Sequence, residues 1–243
     1  MMMMNMSNVF ARLMGTAVGI AVTASAASAQ IGLGAGLAAV GDNVQQARGS
    51  LADLLAKDSI AVGDVSGTIG VYGTVRGRLP VGKVMQITGD LSYTYFQNKD
   101  VVLTDLAVNP DSTAQATFEV GTTLVPLNAG VQFTFPSKVI IPYAGAQLSY
   151  TFVNRTYAFV SGSDKLNSVT INNAAAGENE FGAALSAGID IALGEVTIDV
   201  GARYNLANLF TQDDGEQGMR YLQVGAAILF GSRSLGDDDE GDK

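Results

Sequence analysis

From Gln30 to Phe230 apolar and polar residues alternate with a period of two, in about eight separate stretches. In residues 127–135, Leu127, Ala129, Val131, Phe133 and Phe135 are interleaved with Asn128, Gly130, Gln132 and Thr134. In residues 84–95, Met85, Ile87, Leu91, Tyr93 and Tyr95 alternate with Gln86, Thr88, Asp90, Ser92 and Thr94. Residues 196–206 do the same with Val196, Ile198, Val200, Ala202, Tyr204 and Leu206 against Thr197, Asp199, Gly201, Arg203 and Asn205. A strand sends successive side chains to opposite faces, so each stretch has one apolar and one polar face. The spacing predicts strands at 31–41, 67–79, 84–97, 123–136, 139–154, 181–193, 196–208 and 219–230.

Each predicted strand is long enough to cross a bilayer at a tilt, which takes about 9–11 residues. The segments LPVGK, FPSKV and LGEV read as tight turns joining the second strand to the third, the fourth to the fifth and the sixth to the seventh. The other four connections are longer, at roughly 10 to 26 residues. Short and long connections thus alternate, which collects the turns at one end and the loops at the other. That asymmetry predicts an all-β, eight-stranded antiparallel up-and-down transmembrane barrel with short periplasmic turns and long extracellular loops.

The polar face decides which side is inside. Within the predicted strands it carries Arg76, Arg78, Asp90, Asp190, Asp199 and Arg203, and neither Lys nor Glu. A water-exposed exterior normally recruits both, whereas an enclosed lumen favours small residues and balanced charges. Apart from Arg220 at the loop end of the last strand, the apolar face carries no charge in the spans, as expected where a charge at the bilayer midplane costs about 2–4 kcal/mol. Phe133, Phe135 and Phe230 fall toward the turn end of that face. Tyr93, Tyr95, Tyr150, Phe152, Phe181 and Tyr204 fall toward the loop end, giving two aromatic girdles. Pairing Leu193 with Val196 across LGEV would set Asp190 opposite Asp199, a repulsive pair that calls for a bridging guanidinium. The six charges, with Tyr72, Tyr143 and Tyr221, are expected to plug an interior barely wide enough for side chains.

The N-terminus carries a different signal. A short segment with Arg12 as its only charge precedes LMGTAVGIAVTASAA, too short to span a bilayer, and Ala27-Ser28-Ala29 offers a small-x-small cleavage pattern. Residues 1–29 are therefore expected to be a cleaved secretory signal peptide, residues 30–230 the barrel, and residues 231–243 an acidic periplasmic tail. Residues 44–57 are expected to form a short amphipathic helix in the first long loop, packed over the barrel mouth.

The composition excludes several chemistries. Without His or Cys there is no Ser–His or Cys–His nucleophile and no ordinary zinc site. Asp90, Asp190 and Asp199 could do acid–base work, but a structural network is the simpler expectation, so no catalytic residue is assigned. GDDDEGDK and TQDDGEQ lack the spacing of a calcium loop. No metal and no cofactor are expected. The net charge of −9 and the scattered basic residues argue against nucleic acid as a partner.

The stretch Gln223-Val224-Gly225-Ala226-Ala227-Ile228-Leu229-Phe230 looks like the terminal-strand signal read by the barrel-insertion machinery, with Gln223, Gly225, Ile228 and Phe230 at its defining positions. Pro142-Tyr143-Ala144-Gly145-Ala146 looks like a fifth-strand pattern of the same proteins. Over residues 30–230 the chain resembles the small eight-stranded outer-membrane barrels, among them the OmpA membrane domain, OmpX and OmpW. The resemblance implies the outer membrane as location, its lipid and the insertion machinery as partners, and no enzymatic activity, since the enzymes among such barrels depend on a His. It leaves a structural or surface-interaction role as the first expectation, with an unidentified extracellular partner. An OmpW-like conduit for small or apolar molecules and a secreted, soluble lipocalin-like lipid-binding barrel stand as alternatives.

Overall fold

The computed structural model describes residues 29–40, 69–109, 112–135, 137, 139–162, 174–212 and 218–231. Eight strands follow one another: β1 (Gln30–Val40), β2 (Ile69–Val81), β3 (Met85–Asn109), β4 (Ser112–Thr134), β5 (Ile140–Gly162), β6 (Ala174–Leu193), β7 (Val196–Leu206) and β8 (Arg220–Phe230). They pair in sequence order, all antiparallel, and β1 pairs with β8 to close a barrel. Closure leaves the strand ladders without a lateral edge, which is what lets a sheet sit in lipid.

The β6–β7 turn shows how local sequence sets register. Gly194 has φ +69° between Leu193 and Val196, a backbone state that a tight hairpin needs and that a side chain disfavours. Leu193 therefore pairs with Val196, and the ladder carries Asp190 opposite Asp199. Gly82, with φ +78°, does the same work between β2 and β3.

Alternation sorts the side chains as the sequence implies. Leu33, Val71, Ile87, Leu127, Leu148, Leu185, Val200 and Ile228 stand exposed on the outer face. Exposed apolar surface on that scale suits a bilayer and not water. Phe133, Phe135 and Phe230 are exposed toward the turn end. Tyr95, Tyr150, Phe152, Phe181 and Tyr204 are exposed toward the loop end, and Tyr93 is half-buried.

The strand lengths differ from the sequence reading. Residues 98–122, expected to be a long loop, are mostly the continuation of β3 and β4, and only residues 110 and 111 lie between the two strands. Residues 155–162 and 174–180, expected outside the spans, likewise belong to β5 and β6. Pairing of β2 with β3 ends at Gly70 with Phe96, and pairing of β6 with β7 ends at Ala183 with Leu206. A four-stranded sheet, β3 to β6, therefore projects beyond the other strands at the loop end. The β3–β4 register shifts three times in this projection, between Phe96 and Lys99, Leu103 and Leu106, and Ala107 and Asn109. Such bulges twist and blunt a free edge. Residues 1–28, the expected helix at 44–57 and the tail after Gly231 lie outside the described residues.

Candidate functional site in the barrel lumen

All six predicted charges point inward and meet there. Near the turn end, the Arg78 guanidinium donates to both oxygens of Asp190 at 2.8 Å and also to Asp199. One guanidinium thus bridges the two opposed acids, the arrangement that their register demands. Arg76 Nη1 donates to Asp199 at 3.0 Å and the Tyr143 hydroxyl to the other Asp199 oxygen at 3.2 Å. Arg78 also lies over the Tyr143 ring, 5.3 Å from its centroid.

A second group sits one level toward the loop end. Arg203 grips Asp90 with two parallel hydrogen bonds of 2.7 and 2.6 Å. Asn128, Ser92 and Gln147 add donors to the same carboxylate. Every oxygen of Asp90, Asp190 and Asp199 is engaged by at least one donor.

Above these layers the lumen changes character. Ala38, Val40, Phe96, Leu124, Val153, Ala207, Met219 and Tyr221 form one buried apolar cluster contributed from most sides of the wall. The Phe96 and Tyr221 rings meet edge to face at 6.2 Å. Gly70 makes the room, because a Cβ there would lie 2.7 Å from the Phe96 ring. The expectation of a polar interior throughout is corrected here: a polar network fills the turn-end part and an apolar layer lies over it. The absence of Glu from the inner face is corrected as well. Glu180 is buried on β6, and Arg155 on β5 donates to Glu178 at 2.6 Å. These residues were missed because the predicted strands stopped short of them.

The terminal-strand residues split by face. Gln223 is buried, donating to Thr94 at 3.0 Å and accepting from Asn205 at 3.2 Å. Gly225 lies in an inward row read directly from the ladders: Tyr143–Gly188–Gly201–Gly225–Gly36–Tyr72. Four glycines across four strands form a floor, and the two flanking tyrosines lie over it. A Cβ on Gly36 would stand 2.7 Å from the Tyr72 ring, and one on Gly188 would stand 2.6 Å from the Tyr143 hydroxyl. Ile228 and Phe230 face outward, Phe230 being 59% exposed. Among the described residues, Tyr72, Arg76, Tyr143, Asp199 and Arg203 line a cavity of about 10 Å³, room for about one water.

The model of the outer membrane protein beta-barrel domain family matches residues 13–230. This chain belongs to that family. It is an outer-membrane β-barrel protein, and the apolar outer face described above is its lipid contact. Its fold is similar to that of Neisserial surface protein A, with 14% identity, a TM-score of 0.49, and 85% of this chain and 98% of that one covered. It is also similar to Ail, the attachment invasion locus protein of Yersinia pestis, with 10% identity, a TM-score of 0.43, and 84% and 100% covered. OprG of Pseudomonas aeruginosa gives 10% identity, a TM-score of 0.43, and 85% and 97% covered. No curated protein matches the sequence.

The glycine floor of this outer-membrane barrel yields a direct expectation. A Cβ on Gly225 would meet the Ala35 carbonyl and stand 2.5 Å from the Tyr72 hydroxyl. Gly225→Ala should therefore lower stability by about 1–3 kcal/mol, the usual cost of overfilling a packed interior. Gly177, with nothing within 4 Å of its Cβ position, is the control, and Gly177→Ala should stay within about 0.5 kcal/mol of wild type. Urea unfolding in lipid vesicles measures both. Equal losses would refute the packing account of Gly225.

Proposed function

We propose that this protein is a structural or surface-interaction protein of the outer membrane, whose barrel is an occluded anchor for the sheet projecting at its loop end. The observation that carries this reading is the filled lumen: ion-paired Arg and Asp below, an apolar layer above, and among the ion-paired residues a cavity with room for about one water. In this reading residues 1–29 direct export and are removed, the loop end faces the outside, and residues 231–243 remain in the periplasm. It assigns no catalytic role, which the fully engaged Asp oxygens support.

The chain has no Cys, so single cysteines report orientation cleanly. Asp111→Cys, between β3 and β4, should react with a membrane-impermeant maleimide on intact cells. Lys83→Cys, in the exposed β2–β3 turn, should react only after the outer membrane is permeabilised. The reverse pattern would invert the topology and remove the surface role.

Assembly is the second part of the proposal. Ile228 and Phe230 present the outward half of the terminal-strand signal, while Gln223 and Gly225 serve the lumen. Phe230→Ala should slow folding in pulse-chase more than it lowers the stability of the finished barrel. Unchanged folding kinetics with a sharp stability loss would make Phe230 ordinary packing.

One observation favours the conduit reading. The Nε atoms of Arg76, Arg78 and Arg203 are buried without a hydrogen-bond partner among the described residues. Partly satisfied polar groups of this kind are compatible with a hydrated path through the lower lumen.

A further inference from the structure

β7 stops pairing with β6 at Leu206, and residues 207–211 then fold across the end of β6. Several hydrogen bonds hold this turn in place. The Phe210 amide donates to the Phe181 carbonyl at 2.9 Å, and the Phe181 amide donates to the Thr211 hydroxyl at 3.1 Å. Thr211 in turn donates to the buried Glu180 carboxylate. The Met219 amide donates to Asn208 Oδ1 at 2.6 Å, closing the other side. With its polar groups turned toward the barrel, the turn leaves Leu209 and Phe210 outside, 46% and 56% exposed.

Their position along the barrel axis is what matters. The Phe210 ring packs on Phe181 with centroids 5.3 Å apart. Phe181 belongs to the loop-end aromatic belt and pairs with Tyr150 on β5. Beyond it, the outward residues of β6 are Asn179 and Gly177, both exposed and neither of them apolar. Phe210 therefore sits where the outer face changes from apolar to polar, and it continues a lipid-contacting surface already in place.

We infer that Leu209 and Phe210 insert into the interfacial zone of the bilayer, so that the β7–β8 turn is a lipid anchor. It extends the aromatic belt beyond Tyr204, to the level of Phe181, where β7 has already ended. The pinned backbone keeps both side chains from folding inward, so burial against acyl chains is the route that removes them from water. Assigning this zone to the outer leaflet rests on the orientation proposed above; the depth of insertion does not.

The absence of Trp from the chain gives the test a clean probe. Phe210→Trp is placed in phosphatidylcholine vesicles carrying bromine near the headgroup end of the acyl chains. Phe230→Trp, in the lipid-facing girdle, and Val160→Trp, exposed on the projecting part of β5, serve as references. Each variant is first shown to be folded by its heat-modifiable mobility in detergent gels. The expected result is blue-shifted emission for Phe210→Trp and loss of most of its intensity to bromine, as for Phe230→Trp. Red emission quenched by aqueous acrylamide, as for Val160→Trp, would overturn the inference. Shielding from both quenchers would also overturn it, because another protein surface, from this chain or a second copy, would then be the cover. Neither result depends on which end of the barrel faces out, so this test and the cysteine labelling fail independently.

Discussion

Arg78→Ala should destabilise the barrel by about 3–5 kcal/mol, the cost of removing one partner from a buried ion pair. The size follows from position. Arg78 is 2% exposed and its guanidinium is the link between Asp190 and Asp199, which face each other across the β6–β7 ladder. Without it, two carboxylates stand side by side in the lumen, and Arg76 reaches only Asp199. Arg76→Ala should cost clearly less, since its side chain is 13% exposed and, among the described residues, donates one hydrogen bond to a carboxylate, at 3.0 Å. Adding Asp190→Asn to Arg78→Ala should recover part of the loss, because it removes the stranded charge and leaves the shape nearly unchanged. Urea unfolding in vesicles of the wild type and these three variants gives the values. A cost below about 1 kcal/mol for Arg78→Ala would mean that water replaces the guanidinium, and that the lower lumen is wet.

The second large effect concerns ion flow. Arg78→Ala and Arg203→Ala should leave the barrel silent in a planar bilayer, because the apolar layer above them is untouched. Opening discrete conductance steps should take Phe96→Ala and Tyr221→Ala together with Arg78→Ala, because the ion-paired side chains fill the lumen beneath the apolar layer. Ions and water are excluded from narrow apolar constrictions more effectively than from polar ones, so the barrier belongs to the layer with no charge to hydrate. These two rings fill its centre, at 0% exposure each. Truncation also costs stability, about 3–5 kcal/mol for a buried Phe, so folding of the combined variant must be shown first. Conductance in the single Arg variants, with the apolar layer intact, would place the barrier in the ion-pair network instead.

Much of this architecture is legible in the chain. The strands that cross lipid announce themselves because lipid on one side and a polar lumen on the other force strict alternation. The opposition of Asp190 and Asp199 is legible too, since Gly194 limits the turn and a tight turn dictates the register. The identity of the bridging residue is not. Arg76, Arg78 and Arg203 all point inward, and which one reaches β6 and β7 depends on how the closed barrel brings distant strands face to face.

The projecting sheet was illegible for a physical reason. Beyond the membrane a strand has no lipid face, so residues such as Asn98, Lys99 and Asp100 show no apolar partner set, and bulges break the period further. Arg155, Glu178 and Glu180 were lost with it. The apolar layer did leave a trace. Tyr95–Phe96, Leu124–Val125 and Phe152–Val153 are apolar doublets near the loop end of three strands, where alternation would have placed a polar residue inward. Each doublet puts one apolar side chain in lipid and the other in the lumen.

The claim that the barrel is closed along its axis is tested most directly by the conductance of the purified wild-type protein, inserted singly into a planar lipid bilayer. The account predicts a flat baseline, with no steady open steps. A large and steady open conductance would contradict it and make the barrel a conduit.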